Sequence, residues 1–345
     1  MNKYFRARKD CPACHSAERT QLLELSYSKP PVADYLNNWY SYKEIDPGYL
    51  EGSSYILNEC KECGLIYQEE ILNETSMGKL YNDWIDFEKV SERLKRSCRV
   101  EHYSRHARDL ENIISYLNLP PGDMDVLDFG MGSGMWCHLS KGLGCNVYGT
   151  DISLTRTDHV RDIKIITYAE IPEYHFDFIN SEQVFEHLAD PLETLIYLGQ
   201  SLKSNGIIKI SVPEGWDVKR RLKMWDWRAL RVCDSSDQLK HIMSIWDWEA
   251  PKGSGCENSL NAVAPLQHIN CFDRDVLVTM AGKAGLSPAQ IPGISRPVTG
   301  VKQRIKNFVR PYYSLFVSGE VRKKGTTLFF KRSTGKDGND EDRKP

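Results

Sequence analysis

Three groups of residues in this 345-residue chain have the types and spacing for chemistry. The first is Asp128-Phe129-Gly130-Met131-Gly132-Ser133-Gly134, a strand-like run that enters three alternating glycines. Glycine has no Cβ, so a backbone built on it turns sharply and lets a ligand come close. Asp151 closes the next strand-like run, where a carboxylate can accept hydrogen bonds from both ribose hydroxyls of a nucleoside. A dinucleotide fingerprint would read G-x-G-x-x-G. Here the spacing is G-x-G-x-G, with an acid two residues before the first glycine. A bare strand-to-helix turn needs fewer glycines, because each one weakens the helix that follows.

The second group is Glu186-His187, with His268 later in the chain. Histidine titrates near neutrality and suits proton removal from an acceptor. His187 is the expected base, and Glu186 orients a neighbour or binds a hydroxyl. The plainer alternative has Glu186 and His187 capping the helix that starts near Asp190, and His268 as a buried, hydrogen-bonded histidine. The third group is Cys11-Pro-Ala-Cys14 and Cys60-Lys-Glu-Cys63. Two C-x2-C pairs can set four thiolates around Zn²⁺, and four thiolates leave no open position, so the metal is expected to be structural. Residues 15–59 between the pairs exceed a minimal ribbon and imply a small subdomain. Cys98, Cys137, Cys145, Cys233, Cys256 and Cys271 have no ligand spacing and read as buried thiols.

These groups need a scaffold. At 41% hydrophobic and 27% charged residues, the chain has the composition of an ordinary globular protein. Its net charge of -2 supplies no bulk attraction to nucleic acid or anionic membrane. No apolar run approaches the ~20 residues needed to span a bilayer. Residues 1–10 are basic and polar and lack a signal core. A cytoplasmic protein is expected, where metal binding or burial suits ten cysteines better than disulfides.

The hydrophobic pattern predicts strands over 125–129, 146–150, 163–167, 176–180, 206–212 and 326–331. Helices are expected within 91–119 and over 135–141, 191–203 and 273–284. Alternation of this kind predicts a parallel sheet covered on both faces. The stretch between the Cys pairs reads as irregular, with turn signals at Lys29-Pro30-Pro31 and Asp46-Pro47-Gly48. Regularity also fails over 213–269, which holds Trp216, Trp225, Trp227, Trp246 and Trp248. That segment is expected to be a lid inserted over the active edge. Its tryptophans suit sugar faces or bases, or form a small core of their own. Lys219-Arg220-Arg221 and Lys223 nearby suit a phosphate or a solvated face. Residues 302–324 mix basic and aromatic side chains and suit a polyanion, a membrane surface or plain packing. The expected organisation is a zinc-binding module over 1–75, a helical connector over 76–120, a catalytic domain over 121–333 and a disordered tail over 334–345.

The glycine cluster resembles motif I of the class I S-adenosylmethionine (SAM)-dependent methyltransferases, and Asp151 matches that family's acidic motif II. Asn180-Ser181-Glu182-Gln183-Val184-Phe185-Glu186-His187-Leu188-Ala189-Asp190-Pro191 resembles the "EHLxDP" segment of small-molecule members, and residues 206–213 and 267–272 resemble later motifs. The resemblance implies an α/β, Rossmann-like seven-stranded methyltransferase sheet with an N-terminal four-cysteine zinc subdomain and an inserted lid. It also implies SAM contacts at Asp128, Gly130, Gly132, Gly134, Asp151, Ile152, Ala169, Glu170, Ser181 and Gln183. Tyr103 and Arg105 are secondary candidates for closing over the methionine end. Cys11, Cys14, Cys60 and Cys63 resemble the zinc module of sugar C-methyltransferases. Val184 stands where some of those enzymes carry tyrosine, and their long C-terminal domain has no counterpart in the sequence. The implied activity is methylation of a small molecule, a sugar or nucleotide-sugar hydroxyl or carbon, with His187 as base. An RNA methyltransferase guided by the zinc module and an inactive zinc-bearing interaction protein are the rival readings. The fourth strand lacks the Pro-Pro-aromatic amine-binding sequence and the Pro-Cys nucleophile of DNA enzymes, which weighs against nucleic acid. Neither the composition nor the resemblance sets an oligomeric state.

Overall fold

A computed structural model describes residues 2–39, 41–90, 92, 100–152, 162–213, 215, 217–224, 245–246, 260–292 and 326–333. Trp216, Trp225, Trp227 and Trp248 of the expected lid, the basic stretch 302–324, the tail 334–345, and Cys98, Cys233 and Cys256 lie outside the described residues.

The N-terminal part contains strands β1 (Phe5–Ala7) and β2 (Arg19–Ser26), helix α1 (Val32–Asn38), and strands β3 (Ser54–Cys60), β4 (Ile66–Gln68) and β5 (Glu70–Leu72). Helices α2 (Glu74–Lys79) and α3 (Val100–Leu117) follow. Then come β6 (Asp125–Phe129), α4 (Met135–Gly142), β7 (Asn146–Thr150), β8 (Lys164–Ile165), β9 (Phe176–Glu182), α5 (Pro191–Gln200) and β10 (Leu202–Val212). The remaining elements are α6 (Val218–Met224), β11 (Asn270–Cys271), α7 (Arg274–Lys283), β12 (Leu286–Ala289) and β13 (Thr326–Arg332).

Seven strands form one mixed sheet in the order β12-β13-β10-β9-β6-β7-β8. Strands β6 to β10 run parallel, and β13 runs antiparallel to both of its neighbours. The chain leaves β6 toward β7 and β8 on one side and returns to β9 and β10 on the other. The carboxyl ends of β6 and β9 therefore flank a topological switch point, the place where open α/β sheets bind ligands. Both faces of this sheet are covered, as its apolar strands require. Val126, Phe178 and Ile207 face Leu110 and Ile113 of α3 and Trp136 and Cys137 of α4. Their chain neighbours Leu127, Ile179 and Ile208 face the other way, toward α5, α7 and the cysteine pairs. Adjacent strand residues point to opposite faces, so each strand serves both cores.

Several boundaries differ from expectation. The sequence predicts the third strand over 163–167, but only Lys164–Ile165 pairs. Thr167 starts a short helix at Tyr168–Glu173, and its N–H and hydroxyl both donate 2.7 Å bonds to Glu170, which ends the strand early. The fifth strand begins at Leu202 and runs on through Asn205-Gly206, with a register irregularity between Leu202 and Ile207. The stretch between the Cys pairs is regular rather than irregular: it carries β2, α1 and β3. The cis Pro30-Pro31 pair opens α1, a position where proline's missing N–H costs nothing.

The N-terminal part is joined to the rest by a shared sheet. Strand β11 pairs antiparallel with β4, so the four-stranded sheet β11-β4-β3-β2 takes its edge from residues 270–271. A third core combines Tyr27, Tyr35, Leu36, Tyr55 and Leu57 with Ile245, Trp246, Leu260, Val263 and Leu266 from far along the chain. Trp246 is fully buried against Tyr35 and Tyr55, so this tryptophan serves the core. Buried Arg8 completes the join. Its guanidinium donates to the carbonyls of Gln68 (2.6 Å) and Ile269 (2.7 Å) and to Asn270 Oδ1 (2.7 Å). Burial pushes its pKa down to about 9. No described helix is long and apolar enough to cross a membrane.

Replacing Arg8 by methionine removes the guanidinium donors of the Gln68 carbonyl and of Asn270 Oδ1, while the Ile269 carbonyl keeps the Gln68 N–H at 2.9 Å; a buried acceptor left unsatisfied costs ~1–3 kcal/mol. Urea unfolding of Arg8→Met is expected to show a stability loss of ~3 kcal/mol or more, with circular dichroism of the folded variant unchanged.

Candidate active site

The glycine loop leaves β6 at the switch point. Gly130, Gly132 and Gly134 have φ of 78°, 52° and 75°, a region that side-chain-bearing residues rarely adopt. A Cβ on Gly130 would also lie 2.3 Å from Val184 Cγ2, so the loop and the chain after β9 are in direct contact. A Cβ on Gly132 would meet nothing within 4 Å, so this backbone borders open space. Asp151 Oδ2 accepts a 2.9 Å bond from the Gly132 N–H. The acid at the end of β7 thus touches the loop at its middle glycine. Ile152 beside it is 69% exposed, a large apolar side chain open to solvent.

Below the loop lies a buried polar chain. Asp128 is buried and accepts from Asn180 Nδ2 at 2.7 Å and from the Cys137 thiol at 3.5 Å. Burial raises its pKa to about 6 despite these donors. Lys209 Nζ donates to Asn180 Oδ1 (3.0 Å) and to Glu182 Oε2 (2.7 Å), and sits 3.9 Å from the centre of the Trp136 ring. Trp136 Nε1 donates to the same Glu182 oxygen at 2.7 Å. Burial works to raise the Glu182 pKa, but Lys209 and the other donors outweigh it and hold it at about 2. His106, on α3, packs edge-on to Trp136 with Nδ1 3.9 Å from Glu182, and burial depresses its pKa to about 4. This chain ties α3, α4, β9 and β10 together beneath the loop. Sequence reasoning missed His106, Trp136 and Lys209, and read Glu182 only as part of the segment beside the cofactor. One signal was available: Lys209 is a lone charge inside the apolar run 207–212.

The remaining expected residues occupy varied positions. Ser181 is fully buried, and its hydroxyl has no hydrogen-bond partner among the described residues. Gln183 is exposed with φ 59°, a bend that turns the chain away from β9. Ala169 is exposed, and the carboxylate of Glu170 is engaged by Thr167. Tyr103 is 47% exposed, and Arg105 contacts His106 Nε2 at 3.2 Å. Lys219 pairs with Glu59, and Arg220 and Arg221 pair with Asp217, which fits a surface network better than a phosphate site.

Glu186 and His187 sit on a single turn, Phe185–His187, directly after the bend. Glu186 is buried, and burial pushes its carboxyl up to about 8. His187 Nε2 lies 3.8 Å from Glu186 Oε1, and its Nδ1–H donates to the Gln267 carbonyl at 2.8 Å. The His268 ring lies 4.8 Å from the His187 ring, centre to centre, and its Nδ1–H donates to the Asn261 carbonyl. Burial lowers the His268 pKa to about 4. The structure thus brings together residues 80 apart in sequence. The device is Asn270, whose Nδ2 donates to the carbonyls of Phe185 (3.1 Å) and Leu188 (2.6 Å) and clamps the turn. Cys11, Cys14, Cys60 and Cys63 converge, with all four Sγ atoms within 4.8 Å of one another. Positive-φ residues His15 and Gly64 follow each pair and fold it back on itself.

Gly130→Ala is expected to cost more than Gly132→Ala, because it adds a collision to the same unfavourable φ. The expected losses are ~3 and ~1 kcal/mol in denaturant unfolding. Adding Val184→Ala to Gly130→Ala removes the collision and should recover part of the difference. Lys209→Met takes the cation from part-buried Glu182, which keeps the Trp136 N–H, and is expected to cost ~1–3 kcal/mol in the same measurement.

A curated relative, the ubiquinone biosynthesis O-methyltransferase of Bradyrhizobium diazoefficiens, is 28% identical over 127 residues. That match covers 34% of this chain and 47% of the relative, so the chain spans about half the length of the curated relative it matches. Among solved structures, PKMT2 from Rickettsia typhi in complex with AdoHcy is 15% identical, with a TM-score of 0.40 over 66% of this chain and 52% of that one. The Burkholderia thailandensis 1,6-didemethyltoxoflavin-N1-methyltransferase, with bound 1,6-didemethyltoxoflavin and S-adenosylhomocysteine, is 14% identical with a TM-score of 0.37, over 68% of this chain and 80% of that one. Residues 100–291, more than half of the chain, match the family described as a methyltransferase domain, and the chain belongs to that family.

Proposed function

We propose that this protein is a SAM-dependent methyltransferase acting on a small molecule, a sugar or nucleotide-sugar hydroxyl or carbon. The observation that carries the reading is the glycine loop at the switch point, with backbone at Gly132 bordering open space and Asp151 beside it. A cradle of bare backbone next to a carboxylate fits a nucleoside carrying a charged amino-acid tail. SAM, when bound, supplies an electrophilic methyl group on a sulfonium sulfur. Gly130, Gly132 and Gly134 hold it by backbone, Asp151 takes the ribose, and Ile152 packs on the base. Asp128 and the Asn180–Lys209–Glu182 chain act beneath, by fixing the loop and the end of β9.

Glu186, His187 and His268 lie after β9, one bend away from the loop, which suits the acceptor side. We place removal of the acceptor's proton at Glu186 and His187. The curated relative named as an O-methyltransferase supports an oxygen acceptor. Cys11, Cys14, Cys60 and Cys63 fit Zn²⁺ by donor chemistry, four sulfurs within 4.8 Å, three of the residues buried. That ion is structural, and its module sets the acceptor side through β4 and β11.

Calorimetric titration of the full chain with SAM and S-adenosylhomocysteine tests the cofactor. Asp151→Ala is expected to weaken SAM binding at least tenfold, about the value of one charged hydrogen bond, ~1.5–3 kcal/mol. Asp151→Asn keeps an acceptor for the Gly132 N–H and separates loop support from ribose binding. His187→Ala is expected to leave SAM affinity within twofold and to slow transfer to a nucleotide-sugar acceptor by ~10²–10⁴. Unchanged SAM affinity in Asp151→Ala would remove the assigned cofactor site.

A further inference from the structure

Glu186 is unusual for a buried acid. Its side chain is 1% exposed, and neither carboxyl oxygen has a hydrogen-bond partner among the described residues. A buried carboxyl is costly without a donor or a cation beside it. The side chains that converge on it are two imidazoles. One ligand atom from each of Glu186, His187 and His268 lies within 4.8 Å of the others.

The histidines are prepared in the same way. Nδ1–H of His187 donates to the Gln267 carbonyl, and Nδ1–H of His268 to the Asn261 carbonyl. A carbonyl accepts only, so each ring carries its proton on Nδ1 and its lone pair on Nε2. Histidine ligands of metals are held in this manner, by a carbonyl on the far nitrogen that fixes tautomer and ring orientation. The separations fit too. Two ligands each ~2.1 Å from one ion lie at most ~4.2 Å apart. The 3.8 Å between His187 Nε2 and Glu186 Oε1 already satisfies this, and the 4.8 Å limit closes with side-chain shifts below ~1 Å.

We infer that Glu186, His187 and His268 form a second metal site, separate from the four cysteines, for a divalent transition ion. Two imidazoles and one carboxylate suit Zn²⁺, Fe²⁺, Co²⁺ or Mn²⁺ rather than Ca²⁺ or Mg²⁺, which take oxygen-rich sets. Three protein ligands leave positions open, whereas four thiolates leave none. The open positions suit an oxygen of the acceptor, a clause that rests on the methyl-transfer reading. With an ion bound, Glu186 and His187 would hold it, and the ion would lower the pKa of that oxygen's proton, in place of the free-base role the two side chains have without it.

The test is a Co²⁺ titration of chelator-stripped full-length protein, followed by absorbance, with bound metal counted by mass spectrometry. Wild type is expected to take two equivalents, one with a thiolate charge-transfer band and one without. Glu186→Gln, nearly isosteric, and His268→Ala should each lose the equivalent without that band and keep the other, which also reports that the module is folded. Absence of the band-free equivalent in wild type, or its survival in both variants, overturns the site. SAM titration of the same samples separates the two readings. SAM binding without the band-free equivalent removes the metal site alone. The band-free equivalent without SAM binding leaves the metal site and removes methyl transfer.

Discussion

The structure depends on one buried polar junction, in which Arg8, Gln68 and Asn270 satisfy one another and the backbone around them. Arg8 bridges the carbonyls of Gln68 and Ile269 and the side chain of Asn270. Gln68 Nε2 donates in turn to the carbonyls of Ala264 and His268, both at 3.0 Å, while Tyr27 donates to Gln68 Oε1. Asn270 clamps the turn that carries Glu186 and His187. Every one of these groups is buried and polar, and burial makes an unmet donor or acceptor expensive. The junction therefore has one arrangement. It fixes the N-terminal sheet, the 260–268 turn and the Glu186 turn relative to one another.

This gives the N-terminal module a mechanical purpose. Its four cysteines pack into the same core as Phe129, Ile179 and Ile210 of the large sheet. Its aromatic core extends over residues 260–266, and the Tyr55 hydroxyl donates to the Val263 carbonyl. The turn that presents Gln267 and His268 to His187 is thus shaped from the module's side. The large sheet supplies the glycine loop, and the module shapes the segment opposite it.

The glycine loop has its own foundation. Three glycines at positive φ let the loop turn without strain but give it little stiffness of its own, so surrounding structure must hold it. The Asp128–Asn180–Lys209–Glu182 chain supplies that hold, with Trp136 shielding it on the α4 side. Lys209 is buried and is tolerable there only because part-buried Glu182 pairs with it. Their contribution is to fix the ends of β6 and β9 at the switch point.

The sequence alone determined the parallel sheet, because its signals are local: short apolar runs that bury both faces of each strand, glycines at a turn, helix-starting residues such as Asp273, whose side chain caps α7 at Val276. It also determined the cysteine clustering, since two C-x2-C pairs announce themselves by spacing. Strands 125–129 and 146–150 were legible to the residue. What tertiary structure decided was every pairing between distant segments. Strand β11 is two residues long and has no signal of its own until β4 lies beside it. The segment between the Cys pairs reads as irregular because turn residues stand close to short strands that gain stability only from each other. Lys209 was visible as a charge in an apolar run, but its partners Glu182 and Asn180 meet it only through strand register. His187 and His268 were each legible as reactive side chains, yet neither spacing nor periodicity places them 4.8 Å apart. That proximity follows from the buried junction of Arg8, Gln68 and Asn270, whose hydrogen bonds are satisfied only when all three segments are already in place.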